Sequence, residues 1–137
     1  MPIREDVLVM GGGIAGAATA VSAARTGASV RLVTHKKSTL RHASGLIDVL
    51  GFLPDSDEPI VYPYSALSDL PDEHPYSVVG ENAVREGLKL FDDMTGDAYR
   101  GGHTGKNALV ATHGGTVKPT ARYPKGAAEG LASATRD

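Results

Sequence analysis

The chain has 137 residues, a length typical of one domain, and its 41% hydrophobic and 22% charged residues exclude the low-hydrophobicity, high-charge balance of a disordered chain. With 14 basic against 16 acidic side chains, the formal charge of −2 excludes the basic footprint that binding nucleic acid or an anionic membrane would need. Zero Cys excludes disulfides, thiolate metal sites, iron–sulfur ligation and cysteine nucleophiles within this polypeptide, while 17 Gly call for places where backbone approaches something closely.

Val7 to Ala24 carries no charge, but Gly11, Gly12, Gly13 and Gly16 interrupt it and the preceding Arg4-Glu5-Asp6 is mixed in sign. It therefore reads as neither a membrane span nor a secretory signal, and the expected location is cytoplasmic. Asp6-Val7-Leu8-Val9-Met10 is a short apolar run between charge and glycine, expected to be a fully buried strand of a parallel sheet. Gly11-Gly12-Gly13-Ile14-Ala15-Gly16 follows at once. Ala-rich Ile14 to Thr26 predicts a helix, with Arg25 in its last turn and Gly27 beyond as a cap. Ser29 to Thr34 predicts a second strand, with Val30, Leu32 and Val33 toward the core. The three elements close one β-α-β unit, whose crossover is expected to be right-handed.

Leu40, Ala43, Leu46, Ile47 and Leu50 are spaced as on a helix that Gly45 disturbs. Phe52 to Tyr64, with three prolines, reads as loop, Ala66 to Leu70 as a short helical turn, and Pro71 to Pro75 as a break. Asn82 to Met94 predicts a helix with Ala83, Val84, Leu88, Leu90, Phe91 and Met94 toward one side and Gly96 as its stop. Short β-type stretches around Asp97–Arg100, Ala108–Thr112 and Thr116–Arg122, separated by paired glycines, predict antiparallel hairpins, and Lys125 to Asp137 one weak helix. The expected fold is α/β: a Rossmann-like FAD/NAD(P)-binding part with a parallel sheet over 1–96, a β-rich antiparallel excursion over 97–123, and a helical tail over 124–137.

Gly11-x-Gly13-x-x-Gly16 lies directly between a predicted strand and a predicted helix, the context in which a dinucleotide fingerprint carries weight. Gly11 would permit the tight turn, Gly13 would let backbone N–H groups meet a phosphate, and Gly16 would allow close helix–strand packing, with the positive helix end holding the anion. The acid that usually reads the adenosine ribose at the end of the second strand is replaced by Thr34-His35-Lys36-Lys37. Three explanations stand side by side: basic residues holding the 2′-phosphate of NADP, Thr34 or His35 serving the ribose, or a flavin mononucleotide that has no adenosine ribose.

Ser38 to Gly51, with its Ser44-Gly45-Leu46-Ile47-Asp48-Val49-Leu50 core, and His74-Pro75-Tyr76-Ser77-Val78-Val79-Gly80 add two motifs in order behind the glycine turn. Together they resemble the B subunit of the anaerobic glycerol-3-phosphate dehydrogenase. The resemblance covers Asp6 to Gly80 well and is looser from Ala98 to Tyr123, where Thr112 and Gly115-Thr116 carry it. The missing acid after the second strand also matches that family.

The resemblance implies a flavin-binding part (FMN or FAD) of a subunit that takes part in oxidising glycerol 3-phosphate to dihydroxyacetone phosphate. Its partners would be a catalytic A-type subunit and an iron–sulfur membrane-anchor subunit that passes electrons to quinone, which places the complex at the inner face of the cell membrane. Gly11, Gly12, Gly13, Ile14, Ala15 and Gly16 would hold phosphate; Thr34, His35 and Lys36 would lie beside the ribose or ribityl region; Ser44, Gly45 and Leu46 would cross the flavin. No catalytic residue is assigned. His103, His113, Lys118 and Arg122 are basic groups in the glycine-punctuated hairpins, of which His113 reads best as a turn residue and Lys118 and Arg122 as exposed strand edge. Asp48, His74 and Tyr76 fit capping or core hydrogen bonds, and no residue spacing suggests a hydrolase or metal site. By the same resemblance the chain is the first third of a longer subunit, expected to hold flavin poorly, to turn over nothing unaided, and to form a homodimer over its exposed sheet. The alternatives are an NADP- or FAD-dependent oxidoreductase of another family and a non-catalytic docking module.

Overall fold

The computed structural model of the chain describes residues 4–35, 37–102 and 104–131; Lys36, His103 and the end of the expected tail helix lie outside the described residues. Two compact units emerge, Met1–Ser44 and Gly45–Asp137, so the chain divides between Ser44 and Gly45, whereas the sequence suggested 96/97.

The first unit is the β-α-β unit: β1 (Val7–Met10), α1 (Ile14–Arg25) and β2 (Val30–Val33). The strands pair in parallel with Val7 opposite Val30 and Met10 opposite Val33. Asp6 ties the strand starts together, since its Oδ2 accepts from the Ser29 backbone N at 2.9 Å and from the Ser29 hydroxyl at 2.8 Å. These bonds, the backbone one first, favour the ionised carboxylate and hold the Asp6 pKa below its ordinary value. The expected burial of both strands is corrected. Only Val9 is buried, whereas Leu8 and Met10 are 60% and 81% exposed and Leu32 and Val33 are also exposed. Alternation explains this: Val7 and Val9 share the face that α1 covers, and Leu8 and Met10 point to the opposite face of a sheet only two strands wide.

The helix suggested for Leu40 to Leu50 does not form. Thr39–Arg41, near the end of the first unit, is a single 3₁₀ turn, and in the second unit Ile47 exchanges backbone hydrogen bonds with Arg122, donating at 2.9 Å and accepting at 3.0 Å. Ser65–Asp69 is also 3₁₀. The break expected at Pro75 is instead the first turn of α2 (Pro75–Val79): proline suits a position that needs no N–H, and His74 caps the helix by accepting from the Tyr76 N–H on Nδ1 at 3.1 Å. The helix α3 (Glu81–Thr95) follows, supported by an Arg85–Glu81 pair one turn apart and terminated at Gly96. It buries Leu88 against Leu50, Tyr64, Leu67 and Leu70, while Ala83 and Met94, expected inward, are exposed.

Four short strands complete the unit: β3 (Tyr99–Arg100), β4 (Ala108–Ala111), β5 (Val117–Thr120) and β6 (Tyr123–Pro124). The predicted hairpin of β4 with β5 forms across His113-Gly114-Gly115, closed by Thr112 N–H to Thr116 O at 2.8 Å. Gly101-Gly102 makes no hairpin, because β3 pairs with β6. Lys125–Gly130 is a 3₁₀ helix. Among the described residues no helix is long and apolar enough to cross a membrane.

Candidate functional site

The turn between β1 and α1 assigns each motif glycine a physical task. Gly11 has φ +119°, a conformation that an L side chain resists, and its N–H donates to Val33 O at 2.8 Å, ending the sheet. At Gly16 a Cβ would overlap the Gly11 carbonyl oxygen, lie 3.0 Å from its carbon, and touch Val9 Cγ1 at 3.6 Å. Only hydrogen fits there, so the helix can approach the strand. Gly13 caps α1 with extended backbone, and a Cβ on it would meet nothing within 4 Å. That side is open to a ligand.

The first bond within the helix runs from Ala17 N to Gly13 O at 2.9 Å, which leaves the N–H groups of Ile14, Ala15 and Gly16 ahead of it. No side chain caps this end and no acid stands in the first turn, so the partial positive charge of the helix terminus faces outward uncompensated. Such a terminus suits a phosphate. The structure therefore fits a cofactor phosphate at Gly11, Gly12, Gly13, Ile14, Ala15 and Gly16.

Thr34 and His35, just past β2, are exposed. Thr34 stands against the turn, since a Cβ on Gly12 would sit 3.0 Å from its Oγ1; the need for glycine at 12 thus comes partly from a side chain on the second strand. Lys36 lies outside the described residues. Ser44, exposed, ends the first unit; Gly45 and Leu46 begin the second. Gly45 has φ +79° and packs so closely that a Cβ would lie 2.9 Å from Pro124 Cγ and 3.3 Å from the Tyr99 hydroxyl. Packing within its own unit already accounts for glycine at this position.

Two basic groups of the hairpins, Arg122 and Lys118, are engaged. Arg122, expected at an exposed edge, is only 4% exposed and grips Asp92 bidentately, Nε–Oδ1 at 2.7 Å and Nη2–Oδ2 at 2.8 Å. Burial alone would lower its pKa, but Asp92 and Tyr64 hold it above the ordinary arginine value. The misreading arose because the partner acid lies 30 residues earlier, on α3. Lys118 pairs with Asp48 at 2.5 Å. Tyr76 is half-buried, and burial together with the Asp48 charge pushes its phenol above the ordinary tyrosine range. Asp48 and Tyr76, from two separate motifs, thus share one region of the second unit. His113 is an exposed turn residue, as expected, and His103 lies outside the described residues.

Residues 6–135 match the model of the FAD binding domain family. Over its whole length the chain is 57% identical to the probable B subunit of an anaerobic glycerol-3-phosphate dehydrogenase from Halobacterium salinarum, covering 32% of that protein. It is 41% identical over 124 residues to the B subunit of the anaerobic glycerol-3-phosphate dehydrogenase of Vibrio cholerae, covering 86% of this chain and 28% of that one. With the corresponding B subunit of Pectobacterium carotovorum the identity is 36% over 85 residues, 60% of this chain and 20% of the other. The chain spans about a third of the length of the curated relatives it matches. No solved structure matches it. The family match supports a flavin cofactor, FAD.

Proposed function

The chain belongs to the FAD binding domain family, and on that premise we propose that it is the flavin-holding part of a subunit that takes part in oxidising glycerol 3-phosphate to dihydroxyacetone phosphate. Electrons would leave toward a quinone through an iron–sulfur partner, with a catalytic A-type subunit alongside and the whole assembly at the cytoplasmic face of the membrane. The observation that carries the reading is the turn at Gly11 to Gly16: a helix end with no cap, no acid and no Cβ in front of it. The names of the relatives supply the substrate class.

A bound flavin supplies the acceptor for the two electrons lost by the alcohol carbon. This chain's own residues bind and orient. The N–H groups of Ile14, Ala15 and Gly16 hold phosphate, the helix terminus compensates its charge, and Gly16 keeps α1 against β1 so that these donors stay fixed. Thr34 and His35 border the sugar, and Ser44, Gly45 and Leu46 are the residues we assign to the ring system.

FMN in place of FAD is the second reading, favoured by one feature: β2 ends in Thr34-His35 with no acid to accept from the adenosine ribose hydroxyls. Mass spectrometry of the cofactor released from the full-length protein tests both. FAD or FMN, together with bleaching of the flavin spectrum on adding glycerol 3-phosphate, is the expected result. A colourless protein that binds added NADPH would replace this reading with an NADP-dependent oxidoreductase.

A further inference from the structure

Gly101-Gly102, which makes no hairpin, has its cause in the buried ion pair beneath it. A Cβ on Gly101 would lie 2.6 Å from the Ala121 carbonyl oxygen, and one on Gly102 would lie 2.8 Å from Asp92 Oδ2 and 3.3 Å from Arg122 Nε. Only bare backbone fits over the pair. A buried ion pair adds little stability over apolar residues of the same volume, because desolvating two charges consumes most of their attraction. What it does supply is direction. The two-point grip of Asp92 fixes the plane of the Arg122 guanidinium, which also donates from Nη1 to Ala121 O at 2.9 Å.

The stretch so fixed holds one end of the irregular segment Gly45 to Ile47. Ile47 O accepts from Ala121 N and Arg122 N, both at 3.0 Å, and lies 3.2 Å from the hydroxyl of the fully buried Thr120. The Ile47 N–H donates to Arg122 O at 2.9 Å. At the other end Gly45 lies against Pro124 and the Tyr99 hydroxyl, and Tyr99 stacks edge-on with Phe91, ring centres 4.8 Å apart. Phe91 and Asp92 are consecutive residues of α3, so one point on that helix supports both ends of the segment. All of these residues belong to the second unit.

We propose that Asp92 and Arg122 are positioning residues for the flavin: through Ala121 and Ile47 they fix the line of Gly45 and Leu46, and thereby the potential at which the ring is reduced. This rests on the assignment of Gly45 and Leu46 to the ring system made above. Protein dipoles beside a flavin act unequally on its two redox states, because reduction adds electron density to the ring. An irregular segment holds its dipoles only as firmly as the shell behind it allows.

The test is the midpoint potential of the flavin bound to the full-length protein, in native form and in three variants. Gly102→Ala keeps both charges and changes an exposed residue outside the left-handed region, but its methyl drives the Asp92 carboxylate off the guanidinium. Arg122→Lys keeps the cation and loses the fork. Leu88→Val loosens the same helix in the core without touching the pair, and so reads stability alone. In the first two variants the ratio of affinities for reduced and oxidised flavin should change about tenfold, a shift of about 30 mV for a two-electron couple. Leu88→Val should keep the native potential at a lowered urea midpoint. Loss of flavin from the first two variants but not from Leu88→Val would support the proposal equally. A native potential in Gly102→Ala and Arg122→Lys, or the same displacement in Leu88→Val, would overturn it while the flavin assignment stands. A native protein without flavin would overturn the assignment and this inference with it.

Discussion

Replacing Gly16 by Ala sets two effects against each other. Inside a helix, Ala is normally more stable than Gly by about 0.5–1 kcal/mol. Here the new methyl would lie 3.0 Å from the Gly11 carbonyl carbon and overlap its oxygen. Carbon–carbon contacts settle near 3.5–4.0 Å, so α1 must move off the turn by at least about 0.5 Å, and further to clear the oxygen. The obstacle is backbone on both sides, with no flexible side chain to swing away. Overpacking of this kind costs about 1–3 kcal/mol, which outweighs the helix propensity and leaves a net loss of about 1 kcal/mol. With a urea dependence of about 1–3 kcal/mol/M, the midpoint should fall by about 0.5 M. Urea unfolding followed by far-UV circular dichroism measures it, with hydrogen exchange at Val9 and Met10 reporting the first unit. An unchanged or raised midpoint, with undiminished protection there, would refute the reasoning: the turn would then be loose and glycine at 16 dispensable.

Asp92→Asn removes the charge that compensates Arg122 and leaves a guanidinium buried without a counter-ion; a loss of about 3 kcal/mol is expected by chemical denaturation, against well under 1 kcal/mol for Asp48→Asn at the half-exposed Lys118 pair. Asp6 binds its proton more weakly folded than unfolded, so the stability it contributes is present above its ordinary pKa of 3.8 and is lost as pH falls through the lower folded value. Asp6→Asn should remove that part of the acid dependence, read from urea midpoints at successive pH values. Tyr76 has the opposite linkage: its raised pKa makes a contribution that is complete below pH 10.0 and lost as pH rises through the folded value. Phenolate absorbance should show one of the five tyrosines ionising late, and Tyr76→Phe should remove that component.

The glycine turn and the β-α-β unit are legible in the sequence because their cause is local: a strand, a turn that excludes Cβ atoms and an Ala-rich helix sit within about 30 residues, the size of such a unit. The β4–β5 hairpin is legible for the same reason, since its turn residues lie between its strands. Long-range pairing is not. Leu46 and Ile47 carry helical spacing, yet Ile47 is drawn into exchange with Arg122, 75 residues later. Arg122 reads as surface until Asp92 on α3 is brought to it. The dipeptide His74-Pro75 looks like a break, but it is a cap followed by a favourable first helical position. Exposure of Leu8 and Met10 follows from the two-strand width of the sheet, which residue composition cannot reveal. Of the candidate site, the open turn was readable from three glycines. The buried Asn107, which donates to the carbonyls of Leu50, Ile60 and Val61, gave no signal, because those partners lie on a distant loop.

The central claim is that the open face of Gly13 receives a flavin phosphate. Gly13 has φ −78° and ψ −177°, which any residue adopts, and a Cβ there meets no atom within 4 Å, so Gly13→Val should change folding stability by no more than about 1 kcal/mol. Flavin fluorescence titrated against the native chain and this variant is the direct measurement. Affinity for FAD falling at least tenfold, with circular dichroism and urea midpoint preserved, is the predicted result. Equal affinity in the two proteins would contradict the account, because the phosphate would then lie somewhere other than this turn.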